Sequence, residues 1–385
     1  MLFKLTDEQL MIQSMVREFA RKEVAPTAAE RDRSKEFPAG NLKKMGELGF
    51  LGMMTPMEYD GEGADTISYV LALSEIAYAC ASTAVVMSVH NSIVCESINR
   101  YGTEDQKQKY LSALSHGDYI GAFALTEPHA GSDPVMQQTT AERDGDLYIL
   151  NGTKRFITSG RNSGLVIVTA KTAPDKRHKG ISAFIVEKEF PGVIVGREED
   201  KMGLRASDTT DLIFENCQVP VENILGGEGE GFKIAMTALD GGRIGIAAQS
   251  LGVAQAAFDA AVKYAKSRDQ FGRKISKFPG SRWMIADMAT QIEAARQLTL
   301  SAAAMKNRGE NFTAQASMAK LFASEMVNRI TAKALQIHGG YGFIKEYAVE
   351  RYYRDARVFT IYEGTSEIQR VVISNHIFKD KRKQH

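Results

Sequence analysis

A carboxylate near the C-terminus is the strongest candidate for chemistry in this sequence. Glu363 lies in the segment 362–370, Tyr-Glu-Gly-Thr-Ser-Glu-Ile-Gln-Arg. The S-x-x-Q spacing of Ser366 and Gln369 is typical of a capping box, so we predict that a helix begins there. Glu363 would then lie in the preceding loop, beside a glycine that permits close approach. Desolvation in such a turn can make a carboxylate a general base, although a surface acid before an ordinary helix has the same pattern.

Composition and charge narrow the class of protein. The chain has 385 residues, 44% hydrophobic and 25% charged, which is typical of a soluble globular protein with about two or three domains. Its 48 basic and 47 acidic residues nearly balance, which disfavours a nucleic-acid-binding protein. Scattered cysteines without C-x-x-C predict a reducing compartment and no disulfide or zinc framework. No secretory signal or membrane span is evident, so we expect a cytoplasmic protein that acts away from the membrane.

Hydrophobic periodicity divides the chain into three domains. Residues 1–119 are predicted to be helical, and residues 120–228 carry short β-branched and aromatic runs typical of a compact antiparallel β domain. Residues 229–385 follow a glycine-rich junction and predict a bundle of roughly four or more helices. Their charged tail, 379–385, is expected to be solvated. The fold class is therefore α+β, mainly α.

Three local signals refine this organisation. Thr6 and Gln9 have capping-box spacing at the first helix. Asn151-Gly152 between two apolar runs predicts a β-hairpin. The glycine-rich segment 226–231 lacks the spacing of a phosphate-binding loop, so we interpret it as a domain junction.

The helical, β, helical order resembles the acyl-CoA dehydrogenase flavoproteins over essentially the whole chain, and five motifs occur in that family's order. The first, 123–133, resembles the signature that enters the β domain. The resemblance implies that Phe123, Leu125, Thr126 and Ser132 lie against the flavin. Polar groups and loop amides can hydrogen-bond the electron-poor edge of an isoalloxazine ring. Read without the family, these residues are typical of turns.

Three more motifs resemble FAD-binding segments. In 154–158 the family has an aromatic residue and a threonine on the flavin, although such a strand is also typical of ordinary core. The segments 268–272 and 336–342 resemble motifs that meet the FAD of a neighbouring subunit, and Arg268 suits a pyrophosphate by charge and shape. A glycine-rich helix end would explain the last motif without a ligand. The FAD contacts implied here and beside Glu363 are Phe156, Thr158, Arg268, Gln270, Phe271, Gln336, Gly339, Gly340, Thr365 and Glu367.

The remaining motif of the five, 239–243, resembles the segment that approaches the substrate, although two glycines could also mark a helix kink. Some family members carry their base at the position of Gly242, and a glycine cannot remove a proton. The resemblance therefore assigns the base to Glu363. The acyl-CoA contacts that it implies are Ser132, Asp240, Gly241, Arg243, Tyr362 and Gly364.

Two positions depart from the family pattern. His129 stands where the first signature usually has glycine, and Pro279 stands where a glutamine commonly meets FAD. Both departures affect the predicted geometry of the cofactor and the choice of electron acceptor, and neither removes the site.

The resemblance implies FAD-dependent α,β-dehydrogenation of an acyl-CoA to the trans-2-enoyl-CoA, most like the short-chain or butyryl-type bacterial members. Glu363 would remove the α-proton while the β-hydrogen leaves as hydride to the flavin. Hydrogen bonds to the thioester carbonyl would stabilise the enolate-like charge. A homotetramer and an electron-transferring flavoprotein as electron acceptor are also implied.

Several alternatives stay open at this point. The same fold could act as an oxidase, could accept alicyclic, glutaryl-type or leaving-group-bearing acyl-CoA, or could reduce an enoyl-CoA. A DNA-associated flavoprotein relative is disfavoured by the balanced charge, and a non-catalytic scaffold by the intact Glu363. Acyl chain length depends on a pocket floor that we place in residues 85–95.

Overall fold

The computed structural model describes residues 4–378, and the charged tail lies outside them. The N-terminal part is helical, and its first helix begins at the predicted capping box. Thr6 and Gln9 each bond the other's backbone, at 3.1 and 3.2 Å. The helices are α1 (Asp7–Phe19), α2 (Ala25–Ser34), α3 (Ala39–Glu47), α4 (Thr66–Ala79), α5 (Ala81–Ser88), α6 (Glu96–Tyr101) and α7 (Glu104–His116).

A π-helical segment, Val89–Cys95, joins α5 to α6. All seven of its residues are buried. Asn91 fixes the segment by accepting a hydrogen bond from Met53 N–H and donating one to the Phe50 carbonyl, at 3.1 and 3.0 Å. π-helical turns are uncommon overall, but those that occur are frequently found at functional sites. This segment is therefore relevant to the pocket floor that the sequence predicts.

The middle domain is one sheet whose pairs are mostly antiparallel, as predicted. Its strands are β1 (Gly121–Ala124), β2 (Thr140–Asp144), β3 (Leu147–Thr158), β4 (Leu165–Lys171), β5 (Ile181–Glu187), β6 (Val193–Glu198), β7 (Thr209–Pro220) and β8 (Ile224–Leu225). They lie in the order β6-β7-β3-β2-β4-β5-β8, and β1 also pairs with β4. The β1–β4 pair is parallel, as is the single bridge between β2 and β4, so the sheet is mixed at this point.

The predicted hairpin at Asn151-Gly152 is wrong, because both residues lie inside the continuous strand β3. The register between β3 and β7 shifts between Leu150 and Gly152. The Asn-Gly pair therefore marks an irregularity of the strand, where a glycine is tolerated. The turn that precedes β3 instead contains Gly145, whose φ is +60°.

The C-terminal part contains the predicted long helices. After α8 (Gly231–Ser267) come the short strands β9 (Asp269–Gln270) and β10 (Arg273–Lys274), then α9 (Pro279–Asn307), α10 (Thr313–His338), α11 (Val349–Ala356) and α12 (Ser366–Ile377). The charged and aromatic helix α11 was not predicted. Buried side chains of α4, α8, α9 and α10 share one hydrophobic cluster, so the two helical parts have a common core. Among residues 4–378, no helix has the length and apolarity needed to cross a bilayer.

Candidate active site

The loop before α12 forms a tight turn whose carbonyls are held by side chains. Glu363 and Gly364 both have left-handed backbone, with φ of 52° and 89°. The helix cap is Thr365, whose hydroxyl accepts from the Ile368 N–H at 3.3 Å, so the prediction of Ser366 as the cap was wrong by one residue. Gln369 does not close a capping box, because its amide donates to the carbonyls of Glu363 and Gly364 at 3.2 and 2.9 Å.

The Glu363 carboxylate faces a glycine, and its shielded oxygen lacks a hydrogen-bond partner. The residue is half-buried, but its Oε2 is shielded from solvent and bonds no other atom of residues 4–378. Gly242 of α8 lies against it, since a Cβ there would overlap Oε2 and would be 3.1 Å from Ile93 Cδ1. Burial raises the pKa of Glu363 to about 7, although the charges of Lys320 and Arg243 act to lower it. This carboxylate is therefore poised to exchange a proton near neutral pH.

Two cations approach the Glu363 loop from different helices. Lys320 of α10 is fully buried and donates to the Gly364 carbonyl at 2.7 Å. Arg243 of α8 is 5% exposed and forms an ion pair with Asp240, which also accepts from the Thr313 hydroxyl at 2.6 Å. The structure thus pairs Asp240 with Arg243, both predicted substrate contacts, one turn apart on α8, the helix that also presents Gly242.

The remaining predicted substrate contacts on this side are packed into the helical core. The Tyr362 hydroxyl donates to Gln249 Oε1 at 2.7 Å, so it is already engaged within the protein. Its ring stacks on Phe359 with 5.8 Å between centroids. Gly241 lies close to the π-helical segment, because a Cβ at Gly241 would be 3.0 Å from the Ser92 carbonyl oxygen. The predicted floor residues therefore contact the helix that faces Glu363.

The flavin motifs of the β domain meet at the ends of β1 and β3. The Arg155 N–H donates to the Thr126 carbonyl at 2.8 Å, which joins the first motif to the second. Phe156 is 56% exposed and has a φ of 58°, so it presents a large apolar ring to solvent. Leu125 is buried, Phe123, Thr126 and Thr158 are half-buried, and Ser132 is exposed. This arrangement offers apolar surface and polar groups to a flat ligand.

A buried ion pair lies directly behind these motifs and was not singled out from the sequence. Lys154 is fully buried, with its Nζ 2.7 Å from Glu127 Oε1 and 3.2 Å from the Leu125 carbonyl oxygen. Glu127 also accepts from the N–H and hydroxyl of Thr139. Burial alone would raise the pKa of Glu127, but attraction and hydrogen bonds from Lys154 and from its other donors lower it. The only sequence signal was a lysine on a predicted strand.

The predicted subunit-crossing motifs form a second, open face. Arg268, Gln270, Gly339 and Gly340 line a cavity of about 520 Å³. The Arg268 guanidinium carbon lies 5.3 Å from the centre of the Tyr341 ring, which also lines the cavity. The cavity can therefore offer a cation and aromatic surface to an anion that carries rings.

The other predicted FAD contacts and the two departures lie at or near the surface. Phe271 is 93% exposed and has a φ of 51°, and Gln336 and Glu367 are exposed. Thr365 is half-buried, and its hydroxyl serves as the cap of α12. His129 and Pro279 are exposed, and Pro279 is the first residue of α9, where its ring is well tolerated.

Comparison with known families gives three consecutive matches that together cover most of the chain. They are described as the acyl-CoA dehydrogenase N-terminal domain (residues 6–118), middle domain (residues 122–217) and C-terminal domain (residues 229–378). A protein of Clostridium acetobutylicum named acyl-CoA dehydrogenase, short-chain specific, is 52% identical over 377 residues, or 98% of this chain and 100% of that protein.

Two solved structures are similar over nearly the whole chain. Butyryl-CoA dehydrogenase from Megasphaera elsdenii has a TM-score of 0.96 at 45% identity, covering 98% of this chain and 100% of that one. A chain in a structure on the electron transferring flavoprotein of Acidaminococcus fermentans and flavin-based electron bifurcation has a TM-score of 0.98 at 51% identity. That match covers 99% of this chain and 100% of the other.

Proposed function

The chain belongs to the acyl-CoA dehydrogenase family and is an oxidoreductase, and from this premise we propose that it converts short-chain acyl-CoA thioesters to trans-2-enoyl-CoA with FAD as cofactor. One observation carries the proposal: Glu363 Oε2 is shielded and unpaired, and it packs against a glycine where any Cβ would displace it. The short-chain preference is supported by relatives named short-chain specific and butyryl-CoA dehydrogenase.

The residues of two faces fit the parts of FAD. The exposed Phe156 and the half-buried Thr126 and Thr158 suit the ring system, since they offer an apolar face beside hydroxyl groups. Arg268 and the glycines of the open cavity suit the dinucleotide. When bound, FAD supplies the acceptor for the β-hydrogen. We propose that the open cavity is completed by a second subunit in a homotetramer, which would also cover the 93% exposed Phe271.

Glu363 acts as the general base in the proposed reaction. Its pKa of about 7 leaves a large fraction ionised at neutral pH while retaining the basicity needed to remove a weakly acidic proton. The shielded Oε2 needs no other partner to be displaced before it accepts the α-proton. Substrate binding would exclude water from the remaining exposed side and would raise its basicity further.

The backbone of the same residue can stabilise the charge that develops on the thioester. The Glu363 N–H makes no hydrogen bond to another of residues 4–378, so it is free to donate to the carbonyl oxygen of a substrate. The left-handed turn fixes this N–H and the carboxylate relative to each other. A preorganised donor of this kind stabilises an oxyanion without reorganisation during the reaction.

Anaerobic titration of the FAD-containing protein with a panel of acyl-CoA thioesters tests the proposal. We expect loss of oxidised flavin absorbance with butyryl-CoA and its near neighbours in chain length. The absence of bleaching with every thioester would contradict the proposal. Bleaching only by alicyclic or glutaryl-type thioesters would assign the protein to that substrate class instead, and rapid hydrogen peroxide formation in air would indicate an oxidase.

An electron-transferring flavoprotein is the proposed electron acceptor, and its reduction in a coupled assay checks that partner.

A further inference from the structure

A buried lysine lies beside the catalytic loop and has no part in the proposed proton transfer. Lys320 is fully buried on α10, a position that lysine rarely occupies without a carboxylate partner. It forms no ion pair with any of residues 4–378, and the one hydrogen bond of its Nζ there is to the Gly364 carbonyl, at 2.7 Å. Such burial is costly, which points to a role other than stabilising the fold.

The bond to Gly364 falls at the most constrained part of the site. The left-handed φ of 52° at Glu363 is unfavourable for a residue with a Cβ and persists only where neighbouring groups hold it. The Gly364 carbonyl accepts from both Lys320 and Gln369, and Gln369 also donates to the Glu363 carbonyl. Two buried side chains therefore fix the turn that orients the carboxylate, and only one of them is charged.

The charge of Lys320 is less neutralised than that of the other nearby cation. Arg243 also acts on Glu363, but its guanidinium is paired directly with Asp240. Lys320 has no such partner and remains a net positive charge beside the base. The other titratable groups that act electrostatically on Glu363 or Lys320 are Tyr69 of α4, Tyr362 beside the base, Glu325 of α10 and Glu367 of α12.

We propose that Lys320 is a positioning residue for Glu363: it holds the Gly364 carbonyl, and its ammonium charge keeps the Glu363 carboxylate ionised at neutral pH. The proposal rests on the proposed function for the identity of the reaction. The effect of Lys320 on the ionisation of Glu363 can, however, be measured without substrate. Burial lowers the pKa of Lys320 to about 8, so the ammonium form still predominates at neutral pH.

Three variants separate the charge from the hydrogen bond. Lys320→Met removes both with a side chain of similar length, Lys320→Arg keeps the charge, and Gln369→Met removes only neutral hydrogen bonds to the same turn. We measure the rate of flavin reduction by butyryl-CoA against pH. For Lys320→Met we expect the midpoint of the profile to rise by about one pH unit and the rate at neutral pH to fall about fivefold, because loss of a positive charge disfavours the carboxylate. Gln369→Met should lower the rate at every pH without moving the midpoint, and Lys320→Arg should restore the midpoint.

A direct titration of Glu363 keeps this test independent of turnover. Infrared difference spectra of the substrate-free protein against pH, with Glu363→Gln as the reference, report the carboxyl of Glu363 alone. If the wild type is not reduced by any acyl-CoA, the proposed function fails, but the titration still decides the role of Lys320. An unchanged midpoint in Lys320→Met, by infrared or by kinetics, would overturn the proposal. Thermal unfolding shows whether each variant is folded, and a buried methionine should be well tolerated.

Discussion

Glu127 of the β domain and Glu363 of the helical domain are both withdrawn from water beside a buried lysine, yet their surroundings differ. Glu127 contacts Lys154 directly, at 2.7 Å, and accepts further hydrogen bonds from Thr139. Glu363 leaves Oε2 unbonded within residues 4–378, and Lys320 bonds a neighbouring carbonyl instead of the carboxylate.

The electrostatic consequence is opposite at the two sites. The pKa of Glu127 lies below its ordinary value, because its donors outweigh burial, whereas burial raises the pKa of Glu363 to about 7. A carboxylate that accepts hydrogen bonds from several protein donors stabilises the surrounding structure, and one without such donors can still accept a proton from a substrate. The comparison therefore predicts that removing Glu363 affects catalysis and that breaking the Glu127 pair affects stability.

Replacement of the proposed base should give the largest change. Glu363→Gln keeps the shape of the side chain but cannot accept the α-proton, so flavin reduction by butyryl-CoA should fall at least about a thousandfold. Stopped-flow absorbance under anaerobic conditions measures the rate, and the visible spectrum confirms that FAD is retained. Glu96→Gln is the matched control, since Glu96 lies near α8 but is paired with Lys306. Near-normal reduction by Glu363→Gln would place the base elsewhere.

Breaking the structural pair should give the next largest effect. Lys154→Met leaves a buried carboxylate without its cation, which should reduce the free energy of unfolding by about 3–5 kcal/mol. Urea denaturation of the holoenzyme measures this change, with Lys320→Met as the comparison. Lys320→Met should be much less destabilising, because no directly paired carboxylate is left behind. Equal losses in the two variants would contradict the distinction between the two sites.

Gly242, which lies against the Glu363 carboxylate, allows a sharper test of geometry. In Gly242→Ala the new Cβ would overlap Glu363 Oε2, so the carboxylate must move. A displacement of this kind should lower the rate of flavin reduction about a hundredfold. Gly40→Ala is the control, because a Cβ at that helical position meets nothing within 4 Å. A rate unchanged in Gly242→Ala would mean that the observed position of the carboxylate is not the reactive one.

The smallest predicted effect is the pH dependence of stability. A carboxyl group with a raised pKa in the folded state stabilises the protein fully below its ordinary pKa of 4.5, and that contribution is lost as the pH rises through about 7. Glu363→Gln has no such loss. The melting temperature of the variant relative to the wild type should therefore be about 1–3 °C higher at about pH 8 than at about pH 5. Differential scanning calorimetry at both pH values measures the difference. A melting-temperature gap that is independent of pH would contradict the raised pKa.

The sequence predicted the parts of this picture that depend on local pattern. Helical periodicity placed the long C-terminal helices, and the spacing of Ser366 and Gln369 placed Glu363 in the loop before the last helix, while motif resemblance implied its role as the base. The cap was displaced by one residue because Thr365 and Ser366 are both good capping residues, and spacing alone cannot choose between them. The assignment of FAD and substrate contacts stays a prediction from resemblance.

The sequence did not reveal what depends on contacts between distant segments. A lysine in an amphipathic helix or strand is ordinarily assigned to solvent, so the burial of Lys154 and Lys320 could not be predicted. The shielding of Glu363 Oε2 depends on Gly242, more than a hundred residues away along the chain. The Asn151-Gly152 pair misled for the same reason, because pairing with β7 continues the strand through it.

Exchange of the substrate α-proton with deuterated water tests the assignment of Glu363 as the base most directly. An acyl-CoA whose β-carbon is replaced by sulfur can lose its α-proton but cannot pass on a β-hydrogen, so proton transfer is observed alone by NMR. With FAD-loaded protein, we predict rapid exchange in the wild type and in Glu96→Gln, and none above background in Glu363→Gln. Exchange in Glu363→Gln at the wild-type rate would contradict the account.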